Sequence, residues 1–345
     1  MSLKSEIFEQ PAVLTRLIRD QLDQVQKIAA AIRTQNVSFV YLAARGSSDN
    51  AGLYGKYLWG SYNRLPVALA APALFSRYER PPNLQNALVV GISQSGQSPD
   101  IVSVIAEGQK QGALTLAITN DPQSPLAMAA KFTIDTAAGP EKAVAATKTY
   151  IAQLMSIAML SAALSCDDNR LVDLNAVPVL VQETLALDRF IEQGVENYRD
   201  LRQCIVLGRG YNYATAVEWS LKLKELSYVI AAPYATSDFL HGPLALLSPG
   251  FHILAIMPTG AVFADIFKLL SELVVTHKVR LVAISNDEQA LALAHTSLRL
   301  PTKLPEWLSP LVGIVPAQLF SYYLTRAKGY DPESPRGLTK VTRTW

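Results

Sequence analysis

Short, continuously apolar runs alternate with segments of helical length along this chain, and no other feature constrains its fold as strongly. Examples are VSFVYLA at 37–43, ALVVGI at 87–92 and ALTLAIT at 113–119. Strands that are apolar at every position, rather than at every second one, are typical of parallel sheets covered by helices on both faces. The alternation therefore predicts an α/β fold with doubly wound parallel sheets.

The layout of the first half of the chain recurs in the second. YLAARGSSDNAGLYGKYL and IVLGRGYNYATAVEWSLKL both run from a strand through a small-residue loop into a long helix, with a period of roughly 165 residues that indicates an internal duplication. The predicted divisions are an N-terminal helical arm at 1–35, a first domain at 36–166, a helical connector at 167–198, a second domain at 199–330 and a C-terminal active-site tail at 331–345.

The charge balance bears on binding to nucleic acid and membranes, and the cysteine content bears on zinc sites and disulfides. Lys plus Arg number 31 against 29 Asp plus Glu, so neither nucleic acid nor an anionic membrane is expected. The two cysteines, Cys166 and Cys204, form no zinc-binding pattern and exclude a disulfide framework. The N-terminus lacks the apolar run of a signal peptide, and the longest apolar stretch, 150–164, is too short to span a bilayer. We expect a soluble cytoplasmic protein that needs no metal and no organic cofactor.

Two loops rich in serine follow predicted strands. Ser93-Gln94-Ser95-Gly96-Gln97-Ser98 precedes a helix that begins near Pro99, and Arg45-Gly46-Ser47-Ser48 follows the preceding strand. Free backbone N–H groups and the helix dipole suit such a position for a phosphate, and both loops should lie at the carboxyl edge of a parallel sheet. The alternative is ordinary helix capping by Ser47, Ser48 and Ser98. No GxxxxGK[ST] or GxGxxG motif is present, which argues against nucleotide hydrolysis.

Candidate acid–base residues lie in the second half of the chain. Glu218, Lys222 and Glu225 are spaced to share one face of the helix that follows the GRG loop. A solvent-exposed stripe is the usual role of such charges, but the apolar residues around them predict a largely buried helix, where pKa values shift. His241 and Lys340, each taken alone, are most simply a structural histidine and a surface lysine.

Several motifs together resemble the sugar isomerase (SIS) family, and most closely the isomerase half of the glutamine–fructose-6-phosphate aminotransferases. They are EIFEQP at 6–11, SQSG at 93–96, EKAVAATK at 141–148, LKLKELSY at 221–228, HGPLAL at 241–246 and PRGLTK at 335–340. The resemblance runs nearly end to end. It implies two tandem flavodoxin-like SIS domains and a sugar-phosphate substrate.

The resemblance also implies roles for individual residues. Glu225 would move a proton between C1 and C2 of the open-chain sugar, assisted by Lys222. His241 would open the sugar ring and would reach the active site of the neighbouring subunit of a homodimer. Lys340 matches the family's Schiff-base lysine. The implied substrate-binding residues are Ser47, Ser48, Ser93, Gln94, Ser95, Ser98, Val144, Glu218 and Thr339.

Four departures from the family pattern bear on the function. No glutaminase domain precedes the isomerase-like region, so we expect no glutamine hydrolysis from this polypeptide. Arg45 stands where the aminotransferases have cysteine. The pattern before His241 loses a lysine and shortens an acidic residue, and the pattern at Ser98 loses an acidic residue. The leading hypothesis is an isomerising glucosamine-6-phosphate deaminase that yields fructose 6-phosphate and ammonia. An aldose–ketose phosphosugar isomerase, a deglycase of amino-acid–sugar phosphates and a non-catalytic sugar-phosphate sensor remain alternatives.

Overall fold

The computed structural model describes residues 2–341, so residues 342–345 of the predicted tail lie outside the described part. The chain forms two compact units. The first-sheet unit comprises Glu9–Lys142, Ala146–Pro178 and residues 339–341. The second-sheet unit comprises residues 2–8, Ala143–Ala145 and Val179–Leu338. This division follows chain contacts, and the domain boundaries expected from the sequence stay a prediction.

Helices and strands alternate as expected. The strands of the described residues are β1 (Phe39–Ala43), β2 (Val67–Leu69), β3 (Ala87–Ser93), β4 (Leu114–Thr119), β5 (Phe132–Asp135), β6 (Gln203–Gly208), β7 (Ile230–Ala235), β8 (His252–Ile256), β9 (Arg280–Ser285) and β10 (Thr296–Arg299). The α-helices are α1 (Leu3–Phe8), α2 (Gln10–Arg33), α3 (Ser47–Asn63), α4 (Ala73–Ser76), α5 (Pro99–Lys110), α6 (Pro125–Ala129), α7 (Lys148–Ser165), α8 (Asp168–Leu185), α9 (Asp188–Gly194), α10 (Tyr213–Ser227), α11 (Thr236–Phe239), α12 (Phe263–Thr276), α13 (Glu288–Leu293) and α14 (Ser309–Ala327).

Each unit is built on one parallel sheet. In the described residues of the first-sheet unit the strand order is β2-β1-β3-β4-β5, and in the second-sheet unit it is β10-β9-β8-β6-β7. All neighbouring strands within each sheet run parallel. If the strands of each sheet are numbered from one in chain order, both sheets have the order 2-1-3-4-5. This is the doubly wound flavodoxin-like order. The predicted fold of two tandem doubly wound domains is confirmed.

One helix in each unit is buried along nearly its whole length. In the first-sheet unit it is α7, which contains the long apolar stretch of the sequence and packs against α2 and α3. In the second-sheet unit it is α14, which packs against α10 and α9. Burial on every face explains why the sequence of α7 shows little amphipathic pattern. Among the described residues, no helix has the length and apolar character needed to cross a membrane.

Candidate functional site

The serine-rich loops lie where the parallel topology requires. β1 and β3 are neighbours in the first sheet, and the loop 44–46 and the loop 94–98 follow their carboxyl ends and lead into α3 and α5. Five of the proposed phosphate ligands therefore share one edge of the sheet in the first-sheet unit: Ser48, Ser93, Gln94, Ser95 and Ser98. Ser47, the sixth residue predicted here, begins α3 at the same edge.

Gly96 allows the second loop its sharp turn. Its φ is +61°, and a Cβ at this position would lie 2.1 Å from Oγ of Ser124. The Gly96 N–H donates to the hydroxyl of Ser93 at 3.1 Å, and the Gly96 carbonyl accepts from the N–H of Leu126 at 3.1 Å. A left-handed backbone and a close neighbour together make any side chain at this position unfavourable.

Two of the three serines considered for helix capping, Ser98 and Ser48, do not cap their helices. Ser98 occupies the N-cap position of α5, yet its side chain makes no capping hydrogen bond. The N-cap of α3 is Gly46, and the hydroxyl of Ser48 instead accepts a hydrogen bond of 3.0 Å from Nε2 of the buried Gln153. Hydroxyls that do not cap their helices are suitably placed to bind an anion beside the N-terminal N–H groups of α3 and α5.

The charged residues of α10 form a compact cluster in the second-sheet unit. Nζ of Lys222 lies 2.5 Å from Oε2 of Glu225 and 3.4 Å from Oε1 of Glu218. The side chains of Lys222 and Glu218 are 1% and 0% exposed, whereas that of Glu225 is 23% exposed. The cluster is therefore not a solvent-exposed stripe, and Glu225 is its member with access to a ligand.

The two carboxylates determine the charge state of Lys222. Burial disfavours the ammonium form, but the attraction of Glu218 and Glu225 outweighs burial and raises the pKa of Lys222 above its ordinary value of 10.5. Lys222 is thus a permanent cation at neutral pH, with Nζ in hydrogen-bonding distance of Glu225. Such a group orients a carboxylate and stabilises negative charge that develops beside it.

His241 and Val144, which are also in the second-sheet unit, lie on separate segments. His241 is exposed in the turn after α11, and its N–H donates to the carbonyl of Asp238 at 3.1 Å. Val144 is half-buried, and the neighbouring Ala143 donates its N–H to both carboxylate oxygens of the buried Glu6 at 3.3 Å. Among residues 2–341, no cluster of three or more His, Cys, Asp or Glu side chains could hold a metal ion.

The predicted tail lysine is paired with a buried carboxylate. Nζ of Lys340 lies 2.5 Å from Oε2 of Glu141, which is fully buried. Glu141 also accepts from the N–H of Thr147 at 3.0 Å, the N–H of Thr149 at 3.1 Å and the hydroxyl of Thr149 at 2.8 Å. Thr339, next to Lys340, is exposed. The ion pair holds the described end of the tail in the first-sheet unit.

Two residues that contact predicted site residues, Glu141 and Gln153, were given no role in the sequence analysis. Glu141 begins the EKAVAATK run, and its position before two threonines could have indicated a turn held by a carboxylate. The Gln153 contact with Ser48 joins positions 105 residues apart, and no local pattern indicates it. The predicted residues therefore form two groups, one in each unit, and their roles remain predictions.

Comparisons with known proteins agree with this architecture. The SIS domain family model matches residues 35–163 and 197–327. The isomerizing glutamine–fructose-6-phosphate aminotransferase of Thermosynechococcus vestitus is 33% identical over an alignment of 364 positions, and the match covers 97% of this chain and 58% of the relative. The corresponding protein of Thermococcus kodakarensis is 35% identical over an alignment of 347 positions, and the match covers 97% of this chain and 56% of the relative. The chain thus spans little more than half the length of these curated relatives.

A solved structure identifies the matching portion. The C-terminal domain of glucosamine–fructose-6-phosphate aminotransferase from Francisella tularensis has a TM-score of 0.87 and 28% sequence identity, and the match covers 96% of this chain and 98% of that one. The region of homology is therefore the C-terminal half of these aminotransferases.

Proposed function

This chain belongs to the sugar isomerase (SIS) family, and we propose that it is a phosphosugar isomerase acting on a 6-phosphorylated amino sugar. The observation that carries the proposal is the buried cluster on α10, which presents the partly exposed carboxylate of Glu225 beside the fixed ammonium of Lys222. A positioned carboxylate with an adjacent cation is what proton transfer between neighbouring sugar carbons requires. A sensor would need only the phosphate loops.

The proposed substrate is held by its phosphate. Ser48, Ser93, Gln94, Ser95 and Ser98 are the proposed ligands, and Val144 and Thr339 are proposed to contact the sugar. The serine-rich loops and the N-terminus of α5 suit a phosphate because they offer neutral donors and a positive dipole end.

We further propose that the reaction is isomerising deamination of glucosamine 6-phosphate. His241 opens the ring, and Glu225 removes the C2 proton to give an enolamine whose developing charge Lys222 stabilises. Return of the proton to C1 gives a 2-imine, and water converts this imine to fructose 6-phosphate and ammonia. The support for an amino sugar is homology to proteins named as fructose-6-phosphate aminotransferases, whose amination step is chemically the reverse of this deamination.

Lys340, the lysine that matches the family's Schiff-base residue, is the second cation proposed for this scheme. Its ammonium is paired with Glu141, so it would have to leave that carboxylate and lose a proton before it could form a Schiff base. As a cation it could instead stabilise charge on the substrate.

The decisive experiment incubates the protein with a panel of sugar 6-phosphates that includes amino-acid–sugar phosphate conjugates, while ammonia, ketose and free amino acid are measured. Equal release of ammonia and fructose 6-phosphate from glucosamine 6-phosphate supports the deaminase. Ketose without ammonia from an aldose phosphate indicates a simple isomerase, and amino-acid release indicates a deglycase. Tight binding with no turnover of any substrate contradicts the enzymatic proposal.

Glu225→Gln tests the proposed proton carrier. The variant should fold and bind the sugar phosphate, while turnover falls by about two to four powers of ten because the amide cannot accept the proton. Solvent deuterium should enter C1 of the ketose made by the parent protein. Glu272→Gln, on the exposed side of α12, is the matched control. Near-normal turnover of Glu225→Gln would remove this residue from the mechanism.

A further inference from the structure

The first serine-rich loop contains a cation, Arg45, which none of the assignments above gives a role. Arg45 is the middle residue of the loop 44–46 between β1 and α3. Its Nε donates to Oδ2 of Asp100 at 3.1 Å, and its Nη2 lies 3.0 Å from the same oxygen. Asp100 lies in the first turn of α5, so this ion pair links the two loops that are proposed to bind phosphate.

The carboxylate of Asp100 would by itself disfavour phosphate binding nearby. Its side chain is 1% exposed, and a buried carboxylate in the first turn of α5 would repel an anion bound at that helix N-terminus. Asp49, in the first turn of α3, is a second carboxylate near the same cation: burial raises its pKa, and the charge of Arg45 opposes that rise. Arg45 therefore compensates acidic groups of both helices that flank the serine-rich loops.

The guanidinium of Arg45 has N–H groups left to bind a second anion. It carries five N–H donors on three nitrogens, and its contacts with Asp100 involve two of these nitrogens, Nε and Nη2. The side chain is 50% exposed, in contrast to the buried Asp100, so the guanidinium is anchored on one side and accessible on another. A preoriented arginine of this kind is well suited to bind phosphate.

The second half of the duplication provides an internal comparison. Arg209 follows β6 and lies 3.4 Å from Asp265 in the first turn of α12, which repeats the arrangement of Arg45 and Asp100. There the loops lack the serines, and Asp265 is 65% exposed. The ion pair itself is thus a feature of the duplicated fold, while the buried carboxylate and the serine-rich loops occur with Arg45.

We propose that Arg45 is a substrate-binding residue, anchored by Asp100, that contacts the phosphate of the sugar phosphate. This inference rests on the proposed function and adds a charged ligand to the neutral serine donors. Asp100 is a positioning residue that acts through Arg45.

The test is calorimetric titration of the full chain with inorganic phosphate and with glucosamine 6-phosphate, together with the KM and kcat of each variant. Arg45→Met should weaken phosphate binding and raise KM by about tenfold or more, as expected for a lost charge-assisted hydrogen bond, with a smaller change in kcat. Asp100→Asn retains the guanidinium and should keep affinity within about threefold. Arg209→Met, the matched control, should leave affinity unchanged.

Two results overturn the proposal. If Asp100→Asn weakens binding as much as Arg45→Met, the loss comes from breaking the ion pair and not from losing a contact between Arg45 and the phosphate. If Arg209→Met weakens binding as much as Arg45→Met, the effect is nonspecific charge. Thermal unfolding of each variant establishes that it is folded before titration. Ser95→Ala separates this proposal from the proposed function: if Ser95→Ala weakens binding and Arg45→Met does not, only the role of Arg45 fails, whereas a loss in neither variant contradicts the phosphate loop itself.

Discussion

Gly96 makes the proposed phosphate loop, residues 93–98, sensitive to a single methyl group. Gly96→Ala should destabilise the fold by about 1–3 kcal/mol and weaken phosphate binding, because the new Cβ would meet Ser124 in a left-handed backbone. Gly112→Ala is the matched control: its φ is +78°, but no atom lies within 4 Å of the added Cβ. It should carry the backbone strain without any loss of phosphate affinity. Urea unfolding and phosphate titration measure the two effects, and equal affinities for both variants would contradict the assignment.

Lys222 is expected to be essential for stability as well as for chemistry. Lys222→Met should lower the free energy of unfolding by about 3–5 kcal/mol, because it leaves Glu218 buried without the cation that compensates it. The double variant Lys222→Met/Glu218→Gln should recover part of the loss. Urea unfolding measures both, and a Lys222→Met protein as stable as the parent would contradict the proposed electrostatics.

The pH dependence of this effect has a definite sign. The folded-state pKa of Lys222 is raised above its ordinary value of 10.5, so the stabilisation is fully present below that value and is lost as the pH rises above it. The difference in stability between parent and Lys222→Met should therefore be constant from neutral pH to about pH 10 and narrow above it. A difference that disappears toward neutral pH would be inconsistent with a raised pKa.

At the scale of elements, we expect the ion pair of Lys340 with Glu141 to hold the described end of the tail. Glu141→Gln should release Lys340, because the amide would place N–H groups toward the ammonium and toward the hydroxyl of Thr149. Limited trypsin digestion followed by mass spectrometry should show several-fold faster cleavage after Lys340. Glu288→Gln, which breaks the exposed pair of Glu288 with Arg299, is the control and should leave that cleavage unchanged. Equal cleavage in the parent and in Glu141→Gln would show that the pair does not hold the tail.

The elements that the sequence reasoning missed are the short ones. β2 and β10 have three and four residues, and their burial patterns are only partial, so they lack the continuous apolar run that predicted the central strands. Edge strands of this kind are set by pairing with a neighbour already in place. The central strands β3, β4 and β9 needed no such information, because almost all of their residues are buried.

At the scale of the whole molecule, we propose a two-fold symmetric dimer in which His241 serves the neighbouring subunit. Two leucines near His241 in the sequence are exposed in the single chain: Leu240 is 52% and Leu246 is 59% exposed. A second copy of the chain would cover them, and a two-fold interface would create two equivalent sites.

Complementation tests this arrangement. Glu225→Gln and His241→Ala chains should each be nearly inactive as homodimers. After mixing, unfolding and refolding, random pairing makes about half of the molecules heterodimers, each with one intact site and one doubly substituted site. Activity should therefore return to about a quarter of the parent value. No recovery would show that His241 acts within its own chain, and a fully active monomer in light scattering would exclude the dimer.

The sequence by itself determined the sheet type, the duplication and the position of the loops. Strands that are apolar at every position must be covered on both faces, and parallel strands bring the loops that follow them to one edge. Helical periodicity alone also placed Glu218, Lys222 and Glu225 on one face of α10. These features depend on residues close together in the chain, which is why a linear pattern can predict them.

Only the tertiary structure decided which charges are buried and which groups they face. Lys340 meets Glu141 across 199 residues, and Arg45 meets Asp100 across 55. The burial of Glu218 and Asp100 likewise depends on elements distant in sequence. The pKa of a group and the strength of its interactions depend on desolvation and on the charges around it. The pKa shift and the strength of these ion pairs arise only when the chain has folded, so no spacing of residues could have supplied them.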